Sequence, residues 1–300
     1  MFFRIVAVGL PLLLLGLWLV RSRRPVRLDP TRQDAALVRY RRAVGWRCAG
    51  LGLGAVAAAW TANFGSLGLG VMLAPTAFGL CVIAGVAAGE LANIPRSGSV
   101  RTVAPEARSV VKYLPRRLGA LVAASTFGLG ALLAVTTLMG SADDLGRAGR
   151  SLFRQCNAET SASGGPWPGL FYSVPLGMAV GIGFLGAGVA LRTVVLAPRA
   201  GSDPDLLDTD DTDDTLRQGS AEAVVAATGV MVAASLFGVA LTAGGALIGF
   251  TCPPTSWIAL GVALIAVAVL MLLLALWCLV LLLRGPRIRP PGSGDTGGAG

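Results

Sequence analysis

GIGFLGAG, residues 181–188, sets Gly181, Gly183 and Gly186 in a Gly-x-Gly-x-x-Gly spacing. In a soluble protein that spacing cradles a dinucleotide pyrophosphate, provided a strand precedes it, a helix follows it and an acidic residue stands about 20 positions on. Here the glycines lie in the middle of FYSVPLGMAVGIGFLGAGVALRTVVL, residues 171–196, a run long and apolar enough to cross a bilayer. A water-exposed phosphate loop cannot form in hydrocarbon. The glycines therefore read as packing surface: lipid tails give helices no hydrophobic drive to associate, and small residues let backbones approach.

The composition extends this to the whole chain. Of 300 residues 54% are hydrophobic and 14% charged, against about 25% charged in ordinary soluble domains, and the mean hydropathy is +0.70. One water-facing globule cannot hide that much apolar surface, so the fold class is all-α, a polytopic transmembrane bundle. Seven runs qualify as spans: 2–20, 43–62, 67–89, 118–139, 170–196, 222–250 and 257–283. Residues 2–20 read as a retained anchor and not as a cleaved signal peptide, because RSRR follows the run and no small-x-small site ends it. Residues 21–42 read as a basic linker, 43–283 as a six-helix bundle and 284–300 as a disordered tail.

Charge sets the threading. The net charge is +9, nearly all of it arginine, since Lys112 is the lone lysine. With the N-terminus outside, 21 of the 25 basic residues fall in inner segments and four, Arg4, Arg147, Arg150 and Arg154, fall outside. That asymmetry is the positive-inside signal of a plasma-membrane protein with its C-terminus inside. It also predicts contact with anionic lipid at the inner leaflet, and no nucleic-acid surface is expected. Trp18, Trp46, Trp60, Trp167, Trp257 and Trp277 all fall near span ends, the level that indole rings prefer.

Small residues recur at helical spacing: Gly85 and Gly89, Ala124 and Gly128, Gly177 and Gly181, Ala234 and Gly238. They predict close packing of the four spans between 67 and 250, with 2–20 and 257–283 peripheral. Pro75 and Pro175 each open a similar small, apolar stretch, which suits a chain built from an anchor and three hairpins.

The connecting segments divide by chemistry. EARSVVKYL, residues 106–114, puts Arg108 and Lys112 opposite an apolar face, as a short membrane-surface helix would. DPTRQDAALVRYRR, from Asp29, reads as a second such helix with Pro30 in its first turn. Residues 199–220 carry seven aspartates between 201 and 215 and read as a solvated, disordered inner loop, without the glycine and glutamate register of a calcium loop. Cys48, Cys81 and Cys278 fall within spans. Cys156 and Cys252 fall in outer segments, where oxidising conditions favour a disulfide.

Reaction chemistry is sparse. Histidine is absent, which removes the commonest general base and metal ligand. Glu90 and Glu222 stand at span ends, and the polar groups at depth are Ser125, Thr126, Thr136, Thr137 and Ser235. No catalytic residues, cofactor or metal site are expected. The texture, carried by RSRRPVRLDPTRQ and by the Ala/Gly-rich spans, resembles that of uncharacterised polytopic membrane proteins of actinobacteria. The resemblance is compositional and brings no functional motif. The expected function is a non-enzymatic structural or interaction component of the membrane, with a small permease or flippase built on the Gly-rich helices as the alternative.

Overall fold

The computed structural model describes residues 30–92, 115–196 and 209–283. Their order is α1 (Pro30–Ala62), α2 (Leu69–Ala92), α3 (Arg116–Met139), a hairpin of β1 (Leu152–Gln155) and β2 (Ser161–Gly164), α4 (Leu170–Leu196), α5 (Thr209–Ile248) and α6 (Thr255–Leu283). Apart from that hairpin and the connecting turns, the described residues are all helical. Among the described residues five helices, α2 to α6, are long and apolar enough to cross a membrane. The anchor 2–20 and the membrane-surface helix with Arg108 and Lys112 lie outside the described residues.

Two segments differ from their sequence reading. The linker 21–42 and the span 43–62 are, from Pro30 on, one continuous helix. α1 is not among the five strongly apolar helices, because Arg47 and four glycines dilute its apolar half. The acidic segment is also helical from Thr209, since aspartates are favoured where a helix begins. α5 thus has 40 residues, about 60 Å of helix against a hydrocarbon core of about 30 Å.

α5 is the central helix. Of its apolar window 78% is buried, against 17–33% in the other four, and every residue from Ala223 to Ala233 is buried. A helix that is apolar all round belongs in the middle of a bundle. Its small side chains admit α2, α3, α4 and α6 around it, in one core that includes Val82, Leu129, Leu176, Met231 and Leu282. The last helix is therefore less peripheral than its leucine-rich sequence suggests: Cys278 and Leu282 on α6 are fully buried, while Val262, Leu270 and Leu273 face outward.

Turn chemistry sets the connections. The α1–α2 turn holds Gly65 (φ 84°), Leu67 (φ 68°) and Gly68 (φ 82°) in the left-handed region, which no helix can continue. Pro75 and Pro175 lie inside α2 and α4, near their starts. β1 and β2 pair antiparallel, with Leu152 opposite Gly164 and Gln155 opposite Ser161.

Candidate functional site

The helix ends sort into two faces of the bundle. At one, the arginine end, α2, α4 and α6 finish. Arg42 donates to the carbonyl of Ala92 at 3.4 Å, Arg47 to that of Leu282 at 3.3 Å and Arg217 to that of Val194 at 3.2 Å. Each guanidinium satisfies a carbonyl left over by the last turn and complements the negative end of the helix dipole.

Arg47 and Glu90 are the candidate site. The Arg47 guanidinium stands 3.6 Å from the Glu90 carboxylate, and both side chains are largely shielded, at 9% and 14% exposure. The second Glu90 oxygen accepts a hydrogen bond of 2.8 Å from Ser220. One connected set of polar groups thus joins α1 (Arg47), α2 (Glu90), α5 (Ser220) and α6 (the Leu282 carbonyl). The sequence places Glu90 at a span end without a partner in view, and the structure pairs it. The available signal was Arg47, a cation set a few residues inside an apolar run.

The bundle interior holds one interhelical hydroxyl pair among the described residues. Ser235 donates to the Met231 carbonyl at 2.7 Å, so it accepts from Thr76 at 2.8 Å. Ser125, Thr126, Thr136 and Thr228 return their hydroxyls to carbonyls of their own helices, the usual solution in a low-dielectric interior. Thr76→Val should cost about 0.6–2 kcal/mol, the range for hydrogen bonds between membrane helices. Denaturation by sodium dodecyl sulfate from mild detergent, set beside Thr126→Val as a control within one helix, checks this.

The other face is the hairpin end. Trp167 donates its indole N–H to the Thr136 carbonyl at 2.7 Å, and Phe250 packs edge-on to Trp257 with ring centroids 5.3 Å apart. Arg154 lies 5.2 Å over the Trp257 ring. The sulfurs of Cys156 and Cys252 stand at disulfide distance, with Cα atoms 6.1 Å apart, so the expected pair is brought together. Asp143 pairs with Arg150 at 2.6 Å, Arg150 reaches the Tyr172 hydroxyl at 3.4 Å, and Tyr172 donates to the Leu67 carbonyl at 2.7 Å. That chain of contacts fixes the left-handed Leu67.

The Asp143 carboxyl is held below the usual carboxylate range, first by the Arg147 backbone N–H and then by Arg150. A depressed folded-state pKa stabilises the loop above the unfolded value of about 3.9 and is lost as pH falls through the folded value. Protection of the loop 141–150 against proteolysis should therefore be flat from pH 5 to 8 and fall only below about pH 4. Asp143→Asn should remove the acid dependence.

The predicted packing residues separate by contact. A Cβ on Gly85 would stand 2.7 Å from the Gly50 Cα and 2.8 Å from the Trp46 carbonyl oxygen, and one on Gly89 would stand 3.2 Å from the Trp46 Cβ. Gly128 and Gly238 have looser neighbours, Leu236 at 3.6 Å and Pro75 at 3.9 Å. Ala124 is exposed and Ala234 half-buried. Gly177 and Gly181 are exposed, and a Cβ on either would meet nothing within 4 Å. The close contact on α4 belongs to Gly183, against Met231. That face turns inward because Leu176, Val180, Ala187 and Ala190 share it and are buried. Gly50 and Gly79 are further close-contact glycines that the spacing did not single out.

Among the described residues no group of three or more His, Cys, Asp or Glu is placed to hold a metal ion. No family model, no curated protein and no solved structure matches the chain.

Proposed function

We propose that the chain is a non-enzymatic component of the plasma membrane, working through contacts with a membrane-protein partner and with anionic lipid. In this reading it crosses seven times, residues 2–20 and the second half of α1 adding to the five apolar helices. The N-terminus and the hairpin end face outside, and the arginine end and the C-terminus face inside.

The observation that carries the reading is the filled centre. Gly79 of α2 and Gly183 of α4 both close on Met231 of α5, and Gly229 of α5 closes on Cys278 of α6 and Val122 of α3. Five helices meet there without room for a methyl group, which suits a scaffold better than a moving passage. Exposed Arg41, Arg42, Arg116, Arg117 and Arg192 around the arginine end are placed to meet phosphate headgroups.

Affinity purification of the tagged protein from its own membranes in mild detergent, read by mass spectrometry, tests the component reading. A stoichiometric partner is expected, and a chain that purifies alone would count against it. Threading is checked separately with a membrane-impermeant maleimide on intact cells. Glu159→Cys in the hairpin turn should label, and Arg192→Cys should label only after lysis.

A small permease or flippase is the second reading, favoured by the Arg47–Glu90 pair. Shielded ionisable groups within membrane-crossing helices usually mark function, since they are costly to keep there. Flux of charged and lipid solutes into proteoliposomes, compared for wild type and Glu90→Gln, decides it.

A further inference from the structure

We infer that residues 2–20 of this chain dock on the open face of α5, between α2 and α6, and complete the enclosure of that helix. This rests on the seven-span reading above, in which the segment crosses with its N-terminus outside.

The open face is the exception in α5. Every residue from Ala223 to Ala233 is buried, and exposure begins at Ala234. Beyond it Leu241 is 44% and Ile248 42% exposed, and a Cβ on Gly245 would meet nothing within 4 Å. The neighbours fix where this face points. Thr242 bonds the Met72 sulfur of α2, and Gly244 lies against Gly261 of α6. On a helix, Leu241 and Gly245 fall between those two directions. α1 reaches α6 at the arginine end, where Arg47 donates to the Leu282 carbonyl. The opening therefore lies toward the hairpin end, with α2 on one side and α6 on the other.

The floor of the opening suits a helix. Gly245, Leu241, Gly238 and Ala234 follow one another at spacings of four, three and four, and small residues let a second backbone approach in a bilayer. Residues 2–20 carry the matching pattern. They run opposite to α5, so aligning the outer ends sets Phe2 beside Ile248. Ile5, Gly9, Leu12 and Gly16, at spacings of four, three and four, then face Gly245, Leu241, Gly238 and Ala234. Large meets small at the first three positions, which is how facing layers interdigitate.

The chain also enters at the right place. Consecutive elements are usually neighbours, and α1, which follows this segment, meets α6 at the inner limit of the opening. Pro30 is twelve residues, about 18 Å of helix, before Arg42. The nine residues 21–29 reach at most about 30 Å, enough to return from Pro30 to the bundle.

The test is oxidative cross-linking in membranes, with Cys48, Cys81 and Cys278 replaced by alanine and a protease site placed within residues 21–29. A cross-linked segment stays attached to the chain after cleavage, until reductant is added. Ile5→Cys with Gly245→Cys, and Gly9→Cys with Leu241→Cys, should cross-link within one chain. Ala7→Cys lies at nearly the same depth on the opposite side of a helix, and with Gly245→Cys it should react at least about tenfold more slowly. Three results overturn the docking: no cross-link in either pair, which leaves lipid on the open face; cross-links that join two chains, which put a second copy there; or equal rates for Ile5→Cys and Ala7→Cys. Phe2→Cys, probed on intact cells with a membrane-impermeant maleimide, separates this inference from the reading beneath it. Labelling without cross-links removes the docking alone, whereas a Phe2→Cys that labels only after lysis removes the outside N-terminus and the docking with it.

Discussion

Gly85→Ala should destabilise the protein by about 1–3 kcal/mol, the usual cost of overpacking, while the same change at Gly181 should be neutral or mildly stabilising. Both are helical glycines in apolar runs, and both belong to small-x-x-x-small pairs. They differ in what a methyl group would meet. At Gly85 it would stand 2.7 Å from the Gly50 Cα and 2.8 Å from a carbonyl oxygen, so only a shift of α1 against α2 admits it. At Gly181 it would meet nothing within 4 Å, and alanine recovers up to about 1 kcal/mol of helix propensity. Gly85→Leu should abolish the native contact. Gly79→Leu and Gly183→Leu should do the same at the bundle centre, where Met231 occupies the space. Unfolding from mild detergent by sodium dodecyl sulfate, followed by tryptophan emission, measures the series. Trp46 lies against Gly89, so its emission should shift to the red when α1 separates. Equal effects at Gly85 and Gly181 would contradict the packing described here.

The same glycines show how far the sequence could be read. α2 to α6 coincide with five of the predicted spans, α4 with 170–196, because twenty consecutive apolar residues have one stable form in a bilayer. Which face of α4 turns inward was not legible. Glycines stand at 177, 181 and 188 on one face and at 183 and 186 on the opposite side, so glycine spacing cannot choose between them. The choice is made by the neighbour, since α4 meets α5 where Met231 needs room. The continuity of α1 was masked by composition. A basic segment followed by a glycine-rich one reads as linker and span, although arginine and alanine are both good helix formers. The partner of Glu90 was hidden for a related reason. A charge at a span end defaults to solvent, and its pairing with Arg47, 43 residues earlier, requires knowing that α1 and α2 are packed neighbours. The cysteine pair was legible because the charge asymmetry placed both residues on one side, independently of any contact.

Cys156→Ser should cost about 4–5 kcal/mol, the largest single effect expected outside the helices. The two cysteines are 96 residues apart in sequence. A bond between them removes the loop-closure entropy of that segment from the unfolded chain, and by the chain-entropy relation a loop of that size is worth this much. Cys252→Ser should give the same loss and the double variant no more, since all three delete one closure. The folded hairpin should nonetheless stay docked. Leu152 and Trp167 remain in the small core with Leu247 and Phe250, Arg154 remains over Trp257, and the Trp167 indole keeps the Thr136 carbonyl. The loss should therefore appear in the unfolding midpoint and not in the hairpin's position. Two measurements separate these. Mobility on a non-reducing gel, with and without reductant, establishes whether the bond forms in cells. Thermal unfolding of the oxidised and reduced protein in detergent gives the difference in stability. A reduced protein that melts at the same temperature would show that membrane and packing already hold the closed segment's ends together in the unfolded chain, leaving the disulfide no entropy to remove.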